Sequence, residues 1–384
     1  MRLSTAQREA VRDVETICAQ EADSRRLRGR VAARLSRLVY WDAACFGTID
    51  PWTLLITDDV SYGVPPHVYA LAAHNEYLVD DVHKFVTLAR SGAGVGILGR
   101  APHEKRQASS RLRTVLPAFD ARHEVRAACV ADGQCWGAIA LFRNGDQPDF
   151  SSAEAALLSA VSGPLAAGLR RTAYRPGAGA GITADRSGPG VLILGPRNET
   201  LTINDTARRW LDELTPTPPR HGGELPYVIH QVAARAQDRG VEPNQTDPPH
   251  TGPDSTDPTG PPVPRIPEAY ARIRTRSGRW LTVHGSRVDG ALTPDEGTAV
   301  VIEAAPTSDI AEVLMLAHAL TRRERQVLQR VIAGTPSTAI ATQLHISVNT
   351  VQDHLKSIFS KVGVRSRGQL VARLLGEHYL PDPG

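Results

Sequence analysis

Leu320-Thr321-Arg322-Arg323-Glu324-Arg325-Gln326-Val327-Leu328 opens the stretch, running on to Arg373, whose reading decides the fold of the C-terminal part of this 384-residue chain. Thr321 and Glu324 stand three apart, the spacing at which a hydroxyl and a carboxylate satisfy each other's backbone N–H groups at a helix start. Val327, Leu328, Val331 and Ile332 give that helix one apolar face, and Gly334 suits its left-handed end. A second, short helix after Thr335-Pro336 turns Ile340, Ala341 and Leu344 inward. His345 falls at a sharp bend, being a residue type that tolerates positive φ. Ser347 then caps a third helix. Its expected inner stripe is Val348, Val351, Leu355, Ile358, Phe359 and Val362, and its outer stripe Asn349, Gln352, Asp353, Lys356 and Ser360. Two helices joined by a tight turn, the second greasy within and polar without, have the shape that enters a major groove.

Charge agrees with that geometry. The whole chain carries only +3, too little to argue for a polyanionic partner. From Leu320 to Leu375, however, nine basic residues face only Glu324 and Asp353, about +7, which leaves the remainder near −4.

The stretch closely resembles the LuxR-type helix-turn-helix. That pattern is met at Leu320, Thr321, Arg323, Glu324, Val327, Leu328, Gly334, Ile340, Ala341, Leu344, Ile346, Ser347, Thr350, Val351, His354, Ile358, Lys361, Gly363, Val364, Ser366 and Arg367. The resemblance implies double-stranded DNA as partner, with Thr350, His354 and Lys361 on the backbone and Gln352, Asp353 and Lys356 near base edges. Ser347 and Asn349, at the start of the same helix, complete the expected DNA-binding set. It also implies a last helix, Gln369 to Glu377, with Leu370, Val371, Leu374 and Leu375 supporting a homodimer. Gln352 departs from the Lys or Arg common in the family. Asp353 places an acid on a face meant for phosphates, and Ser337-Thr338-Ala339 replaces a common Asn-Lys-Glu.

At ~100–150 residues per domain the chain has room for two or three, and two breaks divide it. One is the Gly/Pro-rich linker 173–189. The other, 241–267, is crowded with proline, threonine, aspartate and glycine and is expected to be disordered. Before the first break a helical segment, 1–22, precedes a pattern of helix, strands and helix over 23–172. Helix is expected from Ser24 onward, strands at Ala43–Ile49 and Trp52–Thr57, and a helix at Tyr69–Leu88 striped by Leu71, Leu78, Val82, Phe85 and Val86. Val125–Val130 and Cys135–Phe142 predict a hairpin around Asp132-Gly133, and Ser151 with Glu154 a capped helix running to about Arg171. The run Cys135-Trp136-Gly137-Ala138-Ile139-Ala140-Leu141-Phe142-Arg143, followed by Phe150-Ser151 and a long helix, resembles the end of a GAF domain, which implies a small-molecule sensor. Residues 190–305, with strands at Gly190–Leu194 and Thr200–Asn204, a helix at Ala207–Leu214 and three later strands, resemble a PAS domain. A connecting helix (306–319), the helix-turn-helix (320–377) and a tail (378–384) complete the expected plan: two α+β sensor domains with antiparallel sheets, then an all-α domain.

That plan predicts a transcriptional regulator modulated by a small-molecule or protein signal, with RNA polymerase as a further candidate partner. A sigma-factor-like promoter reader is the alternative, since such helices share the Arg-Glu and Thr-Val pattern. No nucleotide-binding motif is evident and the modules leave no room for a catalytic domain, so neither an enzyme nor a cofactor is expected. The opening residues lack the apolar core of a secretory signal. The longest apolar stretch, 155–169, is short of a ~20-residue membrane span, and a cytoplasmic location without membrane contact follows. Gly92-Ala93-Gly94-Val95-Gly96 lacks the Lys-Ser/Thr of a phosphate cradle, and Asp80-Asp81 with His83 reads as a solvated face. Cys18, Cys45, Cys129 and Cys135 have no metal-binding spacing. They are either buried thiols or a set gathered by the fold.

Overall fold

A computed structural model describes residues 3–173, 188–214, 224–238, 269–290 and 293–376. The insert 241–267, the tail and nearly all of the linker 173–189 lie outside them.

The first domain begins with α1 (Thr5–Gln20) and α2 (Ser24–Leu35), then β1 (Ala43–Ile49) and β2 (Ile56–Tyr62). Next come α3 (Tyr69–Leu78), α4 (Phe85–Arg90), β3 (Val95–Ile97), α5 (His103–Ala108), β4 (Ala121–Ala131), β5 (Gln134–Asn144) and α6 (Ser152–Ala173). The strands form one antiparallel sheet in the order β2-β1-β5-β4-β3. Asp132 and Gly133 both take positive φ, 49° and 73°, the backbone that a two-residue hairpin needs to follow strand twist. The Ser151–Glu154 box closes as expected: the Glu154 N–H donates to Ser151 Oγ at 3.2 Å and the Ser151 N–H to Glu154 Oε2 at 2.7 Å.

One face of this sheet packs under α1, α2 and α6 through Phe46, Val125, Ile139, Leu141, Leu157, Val161 and Leu165. The segment expected to stand apart at 1–22 is therefore part of this domain, because Ala10, Val14 and Cys18 bury in the same core. At 22 residues α6 is longer than the apolar stretch predicted, and long and apolar enough by composition to cross a bilayer. It packs as the central helix over the sheet.

Two expectations fail here for local reasons. Trp52 lies in a turn, 38% exposed, and the second strand starts only at Ile56. Asp50 closes that turn by accepting the Trp52 N–H at 2.9 Å. The single helix expected over Tyr69–Leu88 is two. Glu76 accepts the Phe85 N–H at 2.8 Å and caps the second piece, while His83 between them takes φ 54°. The buried face of α3 is Ala73, Asn75 and Glu76, not the leucine stripe. It is polar because Glu76 pairs with Arg126 at 2.6 Å, and Glu124 pairs with both Arg126 and Arg111 at 2.7 Å. Buried charges persist only when matched in this way.

The second domain repeats the plan. β6 (Gly190–Leu194), β7 (Thr200–Ile203), α7 (Asp205–Leu214), α8 (Tyr227–Gln237), β8 (Tyr270–Arg274), β9 (Trp280–Gly290) and β10 (Thr293–Ala304) follow in turn. Its sheet runs β7-β6-β10-β9-β8, the same antiparallel order as the first. Asn204 ties the strand pair to α7, its Oδ1 accepting from the Ala207 and Val191 N–H groups at 2.8 and 3.0 Å. Within α8 the apolar face carries two polar residues, the part-buried His230 and the buried Gln231.

Those polar residues belong to the joint between the domains. The Gln231 amide behaves as a strand partner for Ile56, accepting its N–H and donating to its C=O, both at 2.8 Å. Asp50 receives Arg272 Nε at 2.9 Å and Nη2 at 3.0 Å, with both residues 3% exposed. Arg272 Nη1 also meets Glu312 at 3.2 Å, on α9 (Thr307–Ala317), the first helix of the C-terminal part. After it come α10 (Arg322–Ile332), α11 (Ser337–Gln343), α12 (Val348–Val362) and α13 (Arg367–Val371).

Removing one partner of a buried pair strands the other charge. Arg272→Ala is expected to lower stability by about 3–5 kcal/mol and to uncouple the two domains, read as a split thermal transition. Gln231→Ala, which leaves the Ile56 amide unpaired, is expected to cost about 1–3 kcal/mol. A single unshifted transition in both variants contradicts the joint.

Candidate nucleic-acid interface

The three helices expected from the sequence are present with the predicted caps. Thr321 and Glu324 form the capping box, with 2.7 Å from the Thr321 N–H to Glu324 Oε2 and 3.3 Å from the Glu324 N–H to Thr321 Oγ1. Gly334 and His345 take φ 77° and 53° at the two turns. Ser347 Oγ accepts the Thr350 N–H at 3.0 Å, and Gly363 at φ 76° closes α12.

Helix α12 divides as amphipathicity requires. Val351, Leu355, Ile358 and Val362 are buried and Phe359 is half-buried against the module. Asn349, Gln352, Asp353, Lys356 and Ser360 are exposed. Val348 departs from the expectation: it lies outside the core, 40% exposed.

The expected contact residues separate into three groups. Ser347, Asn349, Gln352, Asp353 and Lys356 share the open face, with Thr350 and His354 half-buried at its margin. Lys356 Nζ meets Asp353 at 3.2 Å, an ion pair about three-quarters exposed on each side. Gln352 Nε2 donates to Ser337 Oγ at 3.4 Å. Lys361 also bonds within the module, donating to Glu324 Oε2 at 2.7 Å and to the Ala319 carbonyl at 3.3 Å, while a third of its side chain stays exposed. Of the residues expected to pair two copies, Leu370 and Leu374 are 0% and 1% exposed in the chain's own core and Val371 is half-buried. In this arrangement Leu370 and Leu374 are covered within the chain, and only Val371 is partly open. The Leu375 side chain lies outside the described residues.

Sequence reasoning treated Glu324 as a cap only. Its second oxygen accepts from Ser357 Oγ at 2.6 Å, so one carboxylate joins α10 to two successive turns of α12. Part of the local positive charge is likewise used internally. Arg323 donates to the Leu344 carbonyl at 2.6 Å and Arg330 to Gln343 at 3.0 Å, and Arg367 donates to the Thr335 carbonyl. No spacing signal marks Ser357; it is found only once α10 and α12 are packed.

Asp81 accepts from Asn75 at 2.9 Å and from the Arg111 N–H at 2.8 Å. Burial pushes the thiols of Cys18, Cys45 and Cys135 up to about 11, 12 and 12, and that of Cys129 further in the same direction. All four are free cysteines. Among the described residues no group of three or more His, Cys, Asp or Glu side chains could hold a metal ion.

Burial alone raises the Glu324 pKa, but the hydrogen bonds from Lys361, Ser357 and Thr321 outweigh it and hold the carboxyl at about 2. A carboxylate depressed below its ordinary 4.5 stabilises the fold fully above that value and loses the contribution as pH falls towards 2. The helical domain is thus expected to weaken between pH 4.5 and 2. Glu324→Ala is expected to cost about 2 kcal/mol at pH 7 and to flatten that dependence, checked by acid titration of helical ellipticity.

Residues 318–374 match the family described as "Bacterial regulatory proteins, luxR family". The spore germination protein GerE of Bacillus subtilis is 39% identical over 56 residues, 15% of this chain and 76% of that protein. A probable transcriptional regulatory protein, NarL of Mycobacterium tuberculosis, is 35% identical over 65 residues, 17% of this chain. The match spans only 30% of NarL's length. Among solved structures, a GAF domain from an Acinetobacter phosphoenolpyruvate-protein phosphotransferase overlaps 44% of this chain and 94% of its own, at 15% identity and a TM-score of 0.32. So loose an overlap assigns no ligand to either α+β domain. The GerE match is of another order, covering three-quarters of its relative on the helices just described, and by it this chain belongs to the luxR family of bacterial regulatory proteins.

Proposed function

We propose that the chain is a transcriptional regulator that reads double-stranded DNA through α12, while the two α+β domains act as GAF-like and PAS-like sensor modules controlling the reader. The observation that carries this reading is the division of α12, whose buried side is locked to α10 by Glu324 while its polar side stands open. A helix so held presents Asn349, Gln352, Asp353 and Lys356 to base edges from a rigid mount. Gln352 suits adenine, Lys356 guanine, and Asp353 the cytosine amino group. Lys361 acts in the mount rather than on phosphate. The DNA partner places the protein in the cytoplasm.

Control passes through α9. Ile310, Ala311, Val313, Leu314, Met315, Leu316 and Ala317 are all at most 5% exposed, and a helix apolar on every side needs neighbours on every side. It has them in one core shared with Leu165 of α6 and Leu370 and Leu374 of the reader. Signal binding in a sensor domain changes how α9 is held, with ~1–3 kcal/mol of coupling typical of such systems. Pairing of two copies through α13 requires α9 to shift away from Leu370 and Leu374.

Fluorescence anisotropy of the full chain with random-sequence duplex should show binding that weakens steeply with salt. Lys356→Ala is expected to weaken binding to a selected site by about 1–3 kcal/mol and to relax preference at one position. Loss of the salt slope alone makes Lys356 a phosphate contact, and no binding at low salt overturns the function.

A further inference from the structure

Val348 is the only large apolar side chain exposed on the helix-turn-helix among the described residues, at 40%. Nothing in folding explains its place. Ser347 already supplies the cap of α12, and Val351, Leu355, Ile358 and Val362 build its core side. A β-branched residue in an exposed first turn adds neither helix propensity nor packing.

Its position has a different logic. Val348, Gln352 and Lys356 recur every four residues and so form one stripe along α12. The other two members of that stripe are polar, exposed and suited to base edges. Helix N-terminal residues are those that a helix-turn-helix brings deepest to the bases. In the major groove the one apolar feature is the 5-methyl group of thymine. Valine offers it two methyls on a side chain stiff at χ1, so little rotamer freedom is lost on contact.

We infer that Val348 is a specificity-determining residue that recognises a thymine 5-methyl group. Four residues of helix rise about 6 Å and base pairs stack about 3.4 Å apart, which places that thymine within about two base pairs of the one facing Gln352. The inference rests on the DNA-reading function proposed above and adds to it the chemistry of one position in the site. The half-site therefore carries a preferred thymine that no hydrogen-bonding pattern on this face specifies.

The test uses the full chain and a duplex selected by it from a random-sequence pool, resynthesised with deoxyuridine replacing each thymine in turn. At one or two positions, removing the methyl is expected to weaken binding about four-fold, which is ~0.8 kcal/mol for one buried methyl group. Val348→Ala should weaken the thymine duplex by a similar factor and bind thymine and deoxyuridine duplexes equally. Val348→Thr, which keeps the branch and one methyl, should fall between, and unchanged circular dichroism in each variant shows that the fold is kept. The inference is overturned if no thymine is sensitive, or if Val348→Ala still distinguishes thymine from deoxyuridine. A chain that selects no duplex at all fails earlier, and overturns the DNA-reading function itself.

Discussion

One carboxylate holds the reader together. Glu324 completes the capping box of α10 through Thr321 and, with the same two oxygens, receives Ser357 and Lys361 from α12. The residue is 4% exposed, so these bonds form where water competes poorly and charge-assisted contacts are strong. They fix α12 in rotation as well as in distance. A recognition helix that turned by one residue, about 100°, would swing part of its apolar side into the open and part of its polar side onto the core. The open face of α12 exists because this anchor and the four buried residues beneath it agree.

The rest of the molecule is organised so that the anchor module does not stand alone. Asp50 and Arg272, buried together, and the part-exposed Glu312 link a turn of the first sheet, a strand of the second and helix α9 in one chain of charges. Gln231 adds a side chain acting as a strand edge. Because α9 is buried all round from Val313 to Ala317, it has few alternative positions. Packed cores move between discrete arrangements rather than deforming smoothly, and a helix in that situation can carry a change in one α+β domain to α13.

Periodicity made the helices and strands with regular apolar spacing readable. The Asp132-Gly133 hairpin, the Ser151 and Thr321 caps and the sharp turns at Gly334 and His345 came from local chemistry, and the structure keeps all of them. Two departures share a cause. Apolar residues suggest a strand at Trp52 and one helix over Tyr69–Leu88, whereas Asp50 and Glu76 decide those backbones by accepting the Trp52 and Phe85 N–H groups. Helix α8 was missed for the converse reason, as its His230 and Gln231 look like surface residues until the first domain is set against them.

What the sequence determined by itself is the reader's outline, because helix period, caps and turns depend on residues no more than four apart. Its polar stripe and local charge were legible for the same reason. Only the tertiary structure decided that Lys361 bonds to Glu324, that Leu370 and Leu374 are covered within their own chain, and that Glu324 reaches Ser357. Each of those depends on partners at least thirty residues away or on a neighbouring helix. Contacts between elements follow from how faces dock, and no periodicity along the chain records them.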